Sequence, residues 1–192
     1  MLISAGFILA STFVDLLLIA VAVVFSIVLH ELAHGWVALW NGDPTAKLSG
    51  RLTLNPVKHF NPIGFLMLLA CGFGFAKPVP VNPYNFKHRK RGIITVALAG
   101  VTLNFLLAFV SSGLRLLMVV LMARFAQNDV AVSICSVFAR FFSLMTTINL
   151  SLCFFNLLPL CPLDGFRVVE GFTRYNNPIT KFLRDYGTYI LI

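Results

Sequence analysis

VDLLLIAVAVVFSIVLHELAHGWVALW, residues Val14 to Trp40, decides the fold class. At about 1.5 Å of rise per residue it is long enough, as a helix, to cross an apolar layer of about 30 Å with some tilt. Between Asp15 and Asp43 its single Asp, Glu, Lys or Arg is Glu31. An acid at the centre of a membrane helix costs about 2.5–3.5 kcal/mol on insertion scales, so Glu31 demands a partner or a task. The run closes at Asn41-Gly42-Asp43-Pro44, a helix stop followed by a turn.

The rest of the chain repeats the pattern. Of 192 residues, 58% are hydrophobic and 11% charged, against about a quarter charged in ordinary soluble domains. The expected class is an all-α polytopic membrane protein with about three to four transmembrane helices plus a re-entrant or short-strand segment, read as one membrane-embedded domain over residues 1–192. The net charge of +8 sits between apolar runs. That placement argues against a nucleic-acid partner and for the lipid bilayer and its anionic headgroups. If loops 41–62 and 77–91 and the tail share one side, that side holds 12 of the 15 Lys and Arg, leaving Arg115, Arg124 and Arg140 opposite. The excess marks the cytoplasmic side.

Outward from the first span, Gly50 to Asn55 alternates apolar and polar residues, a short strand signal. Ile63 to Ala76 is apolar but short of the ~20 residues a spanning helix needs, so a re-entrant segment is expected. Lys77-Pro78-Val79-Pro80-Val81-Asn82-Pro83 must be extended because of its prolines. After the basic cluster Lys87 to Arg91, Ile93 to about Leu114 is a second span with Arg115 at its far end. Residues 116–139 are mixed, and Phe141 to Leu158 is a third span. The tail from Phe166 is amphipathic and basic, and Tyr189 to Ile192 invites continuation of the chain. The N-terminus lacks the charged start and small-residue cleavage site of a signal peptide, so a retained span is expected, with residues 2–13 extending it or lying on the interface. The four cysteines form no CxxC pair and read as buried small hydrophobes.

The chemistry sits in His30-Glu31-Leu32-Ala33-His34, an HExxH sequence. Residues four apart on a helix are separated by about 400° and ~6 Å, so both imidazoles face one side and can grip one metal ion. Glu31 stands beside them as a base for the attacking water. A tetrahedral catalytic zinc takes three protein ligands, so one more is needed. Asp164 is the leading candidate. It follows the third span in Asn156-Leu157-Leu158-Pro159-Leu160-Cys161-Pro162-Leu163-Asp164-Gly165, where two prolines break the helix and can aim a carboxylate sideways. His34 is six residues from the end of its helix, or ~9 Å, a depth that matches. Glu170 and Cys161 are the rivals.

These two motifs together resemble the site-2 protease family of intramembrane zinc metalloproteases, in its compact prokaryotic branch. Gly42 to Lys47, Gly50 to Pro56 and Ala76 to Val81 are similar to that branch as well. The resemblance implies one Zn2+ per chain held by His30, His34 and Asp164, with Glu31 as catalytic base. It implies that Asn156 contacts the substrate carbonyl or oxyanion. It further implies a transmembrane protein substrate and a prokaryotic cell membrane; the charge placement puts the active site toward the cytoplasm, and the sequence shows no sign of a PDZ or CBS domain. Cys161 and Val101 stand where that family usually has proline, and Asn61 where it often has aspartate. Extended substrate could pair with the edge of Arg51–Asn55 or of Lys77–Val81. The competing readings are a membrane metal-binding or transport protein without hydrolysis, which would have no use for Glu31, and a non-catalytic scaffold. Asn104 reads as interhelical glue in preference to a site-lining residue, and His59 and His88 as headgroup-level polar residues.

Overall fold

The computed structural model describes residues 13–59, 61, 64, 77–173 and 177–191. Helix α1 is Phe13–Trp40. Two single turns follow, α2 (Thr45–Leu48) and α3 (Pro56–His59). An extended strap, residues 77–82, leads into a 3-10 turn at Pro83–Asn85. Then come α4 (Arg89–Arg124), α5 (Asp129–Asn156), α6 (Asp164–Phe172) and α7 (Pro178–Leu191). Helices α1, α4 and α5 are each long and apolar enough to cross a membrane. The described residues contain no strand, and the architecture is that of an all-α polytopic membrane protein.

Helix α4 is central and packs against α1, α5 and α6. Its buried face is Gly92, Val96, Ala97, Gly100, Val101, Asn104, Ala108 and Ser111. That stripe recurs every three to four residues and is built mostly of small side chains, which lets helices approach closely where lipid supplies no hydrophobic drive. The facing stripe of α1 runs through Ala22, Ser26, His30, His34 and Ala38, all buried. The opposite side of α1 exposes Leu17, Val21, Phe25 and Trp36, as a lipid-facing surface must. A polar stitch joins α1 to α5. Asn149 Nδ2 donates to Ser26 Oγ at 2.8 Å, and Ser26 Oγ donates to the Ala22 carbonyl at 2.7 Å. Such interhelical bonds contribute about 0.6–2 kcal/mol each in membranes.

The strap is sewn to the end of α1. Gly42, with φ of +103°, turns the chain out of the helix, a conformation that favours glycine. The next residue, Asp43, is fully buried. One of its oxygens accepts from Thr45 N at 3.1 Å, from the Thr45 hydroxyl and from Asn85 Nδ2 at 2.7 Å; the other accepts from Asn82 N at 2.7 Å. Burial alone would raise this carboxyl, but the donors outweigh it and hold the group below the ordinary carboxylate range. At the strap's other end Lys77 N donates to the His59 carbonyl at 3.0 Å, and Arg51 donates to the Lys77 carbonyl at 2.5 Å.

Four expectations change. Residues 52–54 form bends instead of a strand: the short alternating stretch finds no ladder partner among the described residues, and Arg51 turns inward to hold the strap. The second helix does not stop at Arg115 but runs 36 residues to Arg124. Arginine is a good helix former, and both arginines are exposed, so neither interrupts it. The mixed stretch 116–139 is therefore the paired ends of α4 and α5 around a tight turn. His59 is not a headgroup contact: it is buried, with Nε2 2.9 Å from the Thr53 carbonyl. Asn104, read as glue, reaches the site described below. His88 is exposed at the start of α4. Apart from Gly64, the expected re-entrant segment Ile63 to Ala76 lies outside the described residues, as do residues 2–12.

Candidate metal centre

His30 and His34 leave the same face of α1, and their rings meet edge to face with centroids 4.6 Å apart. Asp164, the first residue of α6, comes up beside them. Its Oδ2 lies 3.2 Å from Nε2 of each histidine, and the two Nε2 atoms are 3.0 Å apart. Zinc bonded tetrahedrally to imidazole nitrogen and carboxylate oxygen at about 2.0–2.1 Å spaces its ligand atoms about 3.3 Å apart. The triangle therefore fits that ion. The three residues are the metal-capable cluster found among the described residues. Asp164 Oδ2 is buried and has no hydrogen bond despite two ring nitrogens beside it, as suits a lone pair meant for a cation. Burial alone would raise the Asp164 carboxyl, but the adjoining imidazoles outweigh that and keep it well below the ordinary range.

Local sequence explains how each group arrives. A Cβ at Gly100 of α4 would come within 2.5–2.7 Å of three His30 ring atoms, so the absent side chain makes the seat for that ring. His34 Nδ1 lies 2.7 Å from the Val96 carbonyl. A carbonyl only accepts, so Nδ1 carries the proton and the lone pair of neutral His34 is on Nε2, facing the triangle. The break at Pro159 and Pro162 ends α5 and starts α6. A Cβ at Gly165 would strike the Leu157 carbonyl, so glycine there lets α6 begin directly against the end of α5. Gly171 does the same for the contact of α6 with Ile94 of α4.

The profile of Peptidase family M50 matches residues 18–192. The chain belongs to peptidase family M50. The site-2 protease resemblance read from the sequence is borne out. Two curated relatives of this M50 chain are similar over most of its length. The Bacillus subtilis protein named "Putative zinc metalloprotease YwhC" is 42% identical over 152 residues, 79% of this chain and 67% of that protein. The Mycolicibacterium smegmatis protein named "Putative zinc metalloprotease Rip2" is 30% identical over 162 residues, 81% of this chain and 56% of that protein. The M50 chain thus spans about two thirds of one relative and just over half of the other. No solved structure gives a significant match.

The other residues singled out in the M50 sequence fall as follows. Glu31 is half-buried beside the triangle, and its Oε2 accepts a 2.8 Å hydrogen bond from Val79 N of the strap. Asn156 is the last residue of α5, and its Nδ2 donates to the Leu152 carbonyl one turn back. Glu170 is drawn away by Arg184 at 2.5 Å and takes no part in the cluster. Cys161, the softer rival, is likewise outside it. Sequence reasoning did not foresee the Val79 N–H on Glu31, which is invisible to any motif, and ranked the approach of Asn104 to His30 second. The spacing of Gly100 and Asn104, four apart on one face of α4, was the available signal.

Proposed function

We propose that this chain hydrolyses peptide bonds of membrane-spanning protein substrates within or beside the bilayer, with one zinc held by His30, His34 and Asp164. The carrying observation is the convergence of those three ligand atoms within 3.0–3.2 Å of one another in an apolar bundle. As an M50 member the chain is a zinc metalloprotease. When bound, zinc makes water a nucleophile near neutral pH and polarises the substrate carbonyl. Glu31 takes the proton of the attacking water and returns it to the leaving amine. The Val79 N–H holds the Glu31 carboxylate in place beside the ligands. Asn156 stabilises the developing oxyanion, a contribution of ~3–4 kcal/mol for one such donor. For that, its amide must leave the Leu152 carbonyl and turn to the substrate.

Residues 1–192 act as one membrane-embedded unit in a prokaryotic cell membrane, with the centre toward the cytoplasm. The end of α1, the start of α4 and the end of α5 lie together, with the basic residues around them. At the opposite end Arg140 meets Asp15 at 3.4 Å. A cleavage assay on single-span substrates, with metal analysis, tests the reading. Glu31→Gln is expected to lower cleavage by about 10²–10⁴-fold and keep zinc. Asp164→Ala is expected to lose both. Cleavage by either variant at the wild-type rate contradicts the assignment, and full function of Glu31→Gln would favour metal binding or transport instead.

A further inference from the structure

We propose that Asn104 is the positioning residue that fixes His30 in the tautomer able to bind the metal, an assignment that rests on the metal centre above. For a histidine to ligate through Nε2, its Nδ1 must carry the proton and pass it to an acceptor. His34 has the Val96 carbonyl for this. His30 has no carbonyl at that place; its Nδ1 faces the side-chain amide of Asn104, with Nδ2 at 3.1 Å. Val96, Gly100 and Asn104 follow one another at four-residue spacing on the buried face of α4. One helix face thus supplies the partner of His34, the gap for the ring of His30 and the partner of His30.

The amide of Asn104 is fully buried, and its oxygen has no hydrogen-bond partner. A sealed amide oxygen without a donor is costly, by about 1–3 kcal/mol. The nitrogen and oxygen of an amide exchange places by a half-turn with little change of shape. In one setting the NH2 group donates to Nδ1, which keeps the ring proton on Nε2, the atom facing Asp164 and His34. In the other setting Oδ1 accepts the Nδ1 proton, the NH2 group takes the place the oxygen held, and the Nε2 lone pair is freed toward the triangle. Only the second setting is compatible with a ligating Nε2. Simple interhelical glue would not need an acceptor at this atom. Asn149 is the internal comparison: it is equally buried, also has an unpartnered oxygen, and bridges α5 to α1 at Ser26.

The test is zinc affinity of the purified full chain, measured by competition with a chromophoric chelator, without reference to cleavage. Asn104→Ala is expected to weaken zinc binding by about 10–100-fold, the usual effect of removing an outer partner. Asn104→Asp, which keeps an acceptor and no donor, is expected to bind at least as tightly as the unaltered chain. Asn149→Ala is expected to lower thermal stability and leave zinc affinity unchanged. Wild-type affinity in Asn104→Ala, or equal weakening in Asn104→Ala and Asn104→Asp, overturns the assignment. Absence of zinc binding by the unaltered chain overturns the metal centre itself. Histidine nitrogen-15 spectra of the zinc-loaded unaltered chain give a reading that needs no variant. His30 protonated on Nδ1 supports the proposal, and metal on Nδ1 overturns it.

Discussion

Gly100→Ala is the most demanding test of the way α4 seats His30. The added Cβ would lie 2.5 Å from His30 Cε1 and 2.7 Å from both ring nitrogens. Carbon contacts are most favourable at about 3.5–4.0 Å, so the ring must withdraw by roughly 1 Å or α4 must part from α1. Parting the helices would loosen the whole small-residue stripe, whereas moving the ring disturbs one side chain, so the ring should yield. Its nitrogens hold the 3.0 Å approach to His34, the 3.2 Å approach to Asp164 and the 3.1 Å contact with Asn104. A 1 Å misplacement near a catalytic group costs about 100-fold, so kcat/KM on a single-span substrate is expected to fall by about that factor. Zinc affinity should fall alongside it. Gly113→Ala is the control, because a Cβ there meets nothing within 4 Å, and alanine is the better helix residue by up to about 1 kcal/mol. Activity of Gly100→Ala within threefold of wild type, with the fold intact, would refute the seating argument.

The strap and its anchor give further tests. Val79→Pro removes the N–H that holds Glu31 while keeping extended backbone, and should cut kcat by tenfold or more with zinc retained; Val79→Ala keeps the N–H and should be much milder. Equal kinetics in the two variants would show that the hydrogen bond is idle. Asp43 makes a pH prediction. Its carboxyl is held below its ordinary value in the fold, so its stabilising contribution is complete above the unfolded value of about 3.9 and is lost as pH falls through the lower folded value. Asp43→Asn should therefore melt well below wild type at neutral pH, with the gap closing in acid. A gap independent of pH would mean that the charge of Asp43 contributes nothing.

The convergence of His30, His34 and Asp164 was legible because the bilayer makes polar residues expensive. Glu31 between two histidines in an apolar run has few inexpensive explanations, and Asp164 sits where prolines force a break at matching depth. The extended strap was legible for a similar reason, since Pro78 and Pro80 leave the backbone little choice. Asn104 was hard to assign because an isolated polar residue in a span has two ordinary uses, and only the approach of α4 to α1 shows that it faces His30. The alternation at 50–55 misled because a strand is a property of pairs, and nothing in six residues says whether a partner exists. His59 was misjudged because burial of a loop histidine depends on chain that is distant in sequence. The overrun of α4 past Arg115 was hidden because a charge marks the edge of a membrane more reliably than the end of a helix.

The strap has a polarity of its own. In extended chain, the N–H and carbonyl of one residue point to the same edge and those of the next residue to the other. The edge bearing Lys77 and Val79 is engaged with His59, Arg51 and Glu31. By the same alternation the other edge carries Pro78 and Pro80, which have carbonyls but no N–H to give. A visiting chain that lies along it can donate but receives nothing in return, so continuous two-way zippering cannot start there. The same two imino acids that straighten this stretch thereby make it a one-sided template, closed to the indiscriminate strand-to-strand adhesion that bare backbone invites.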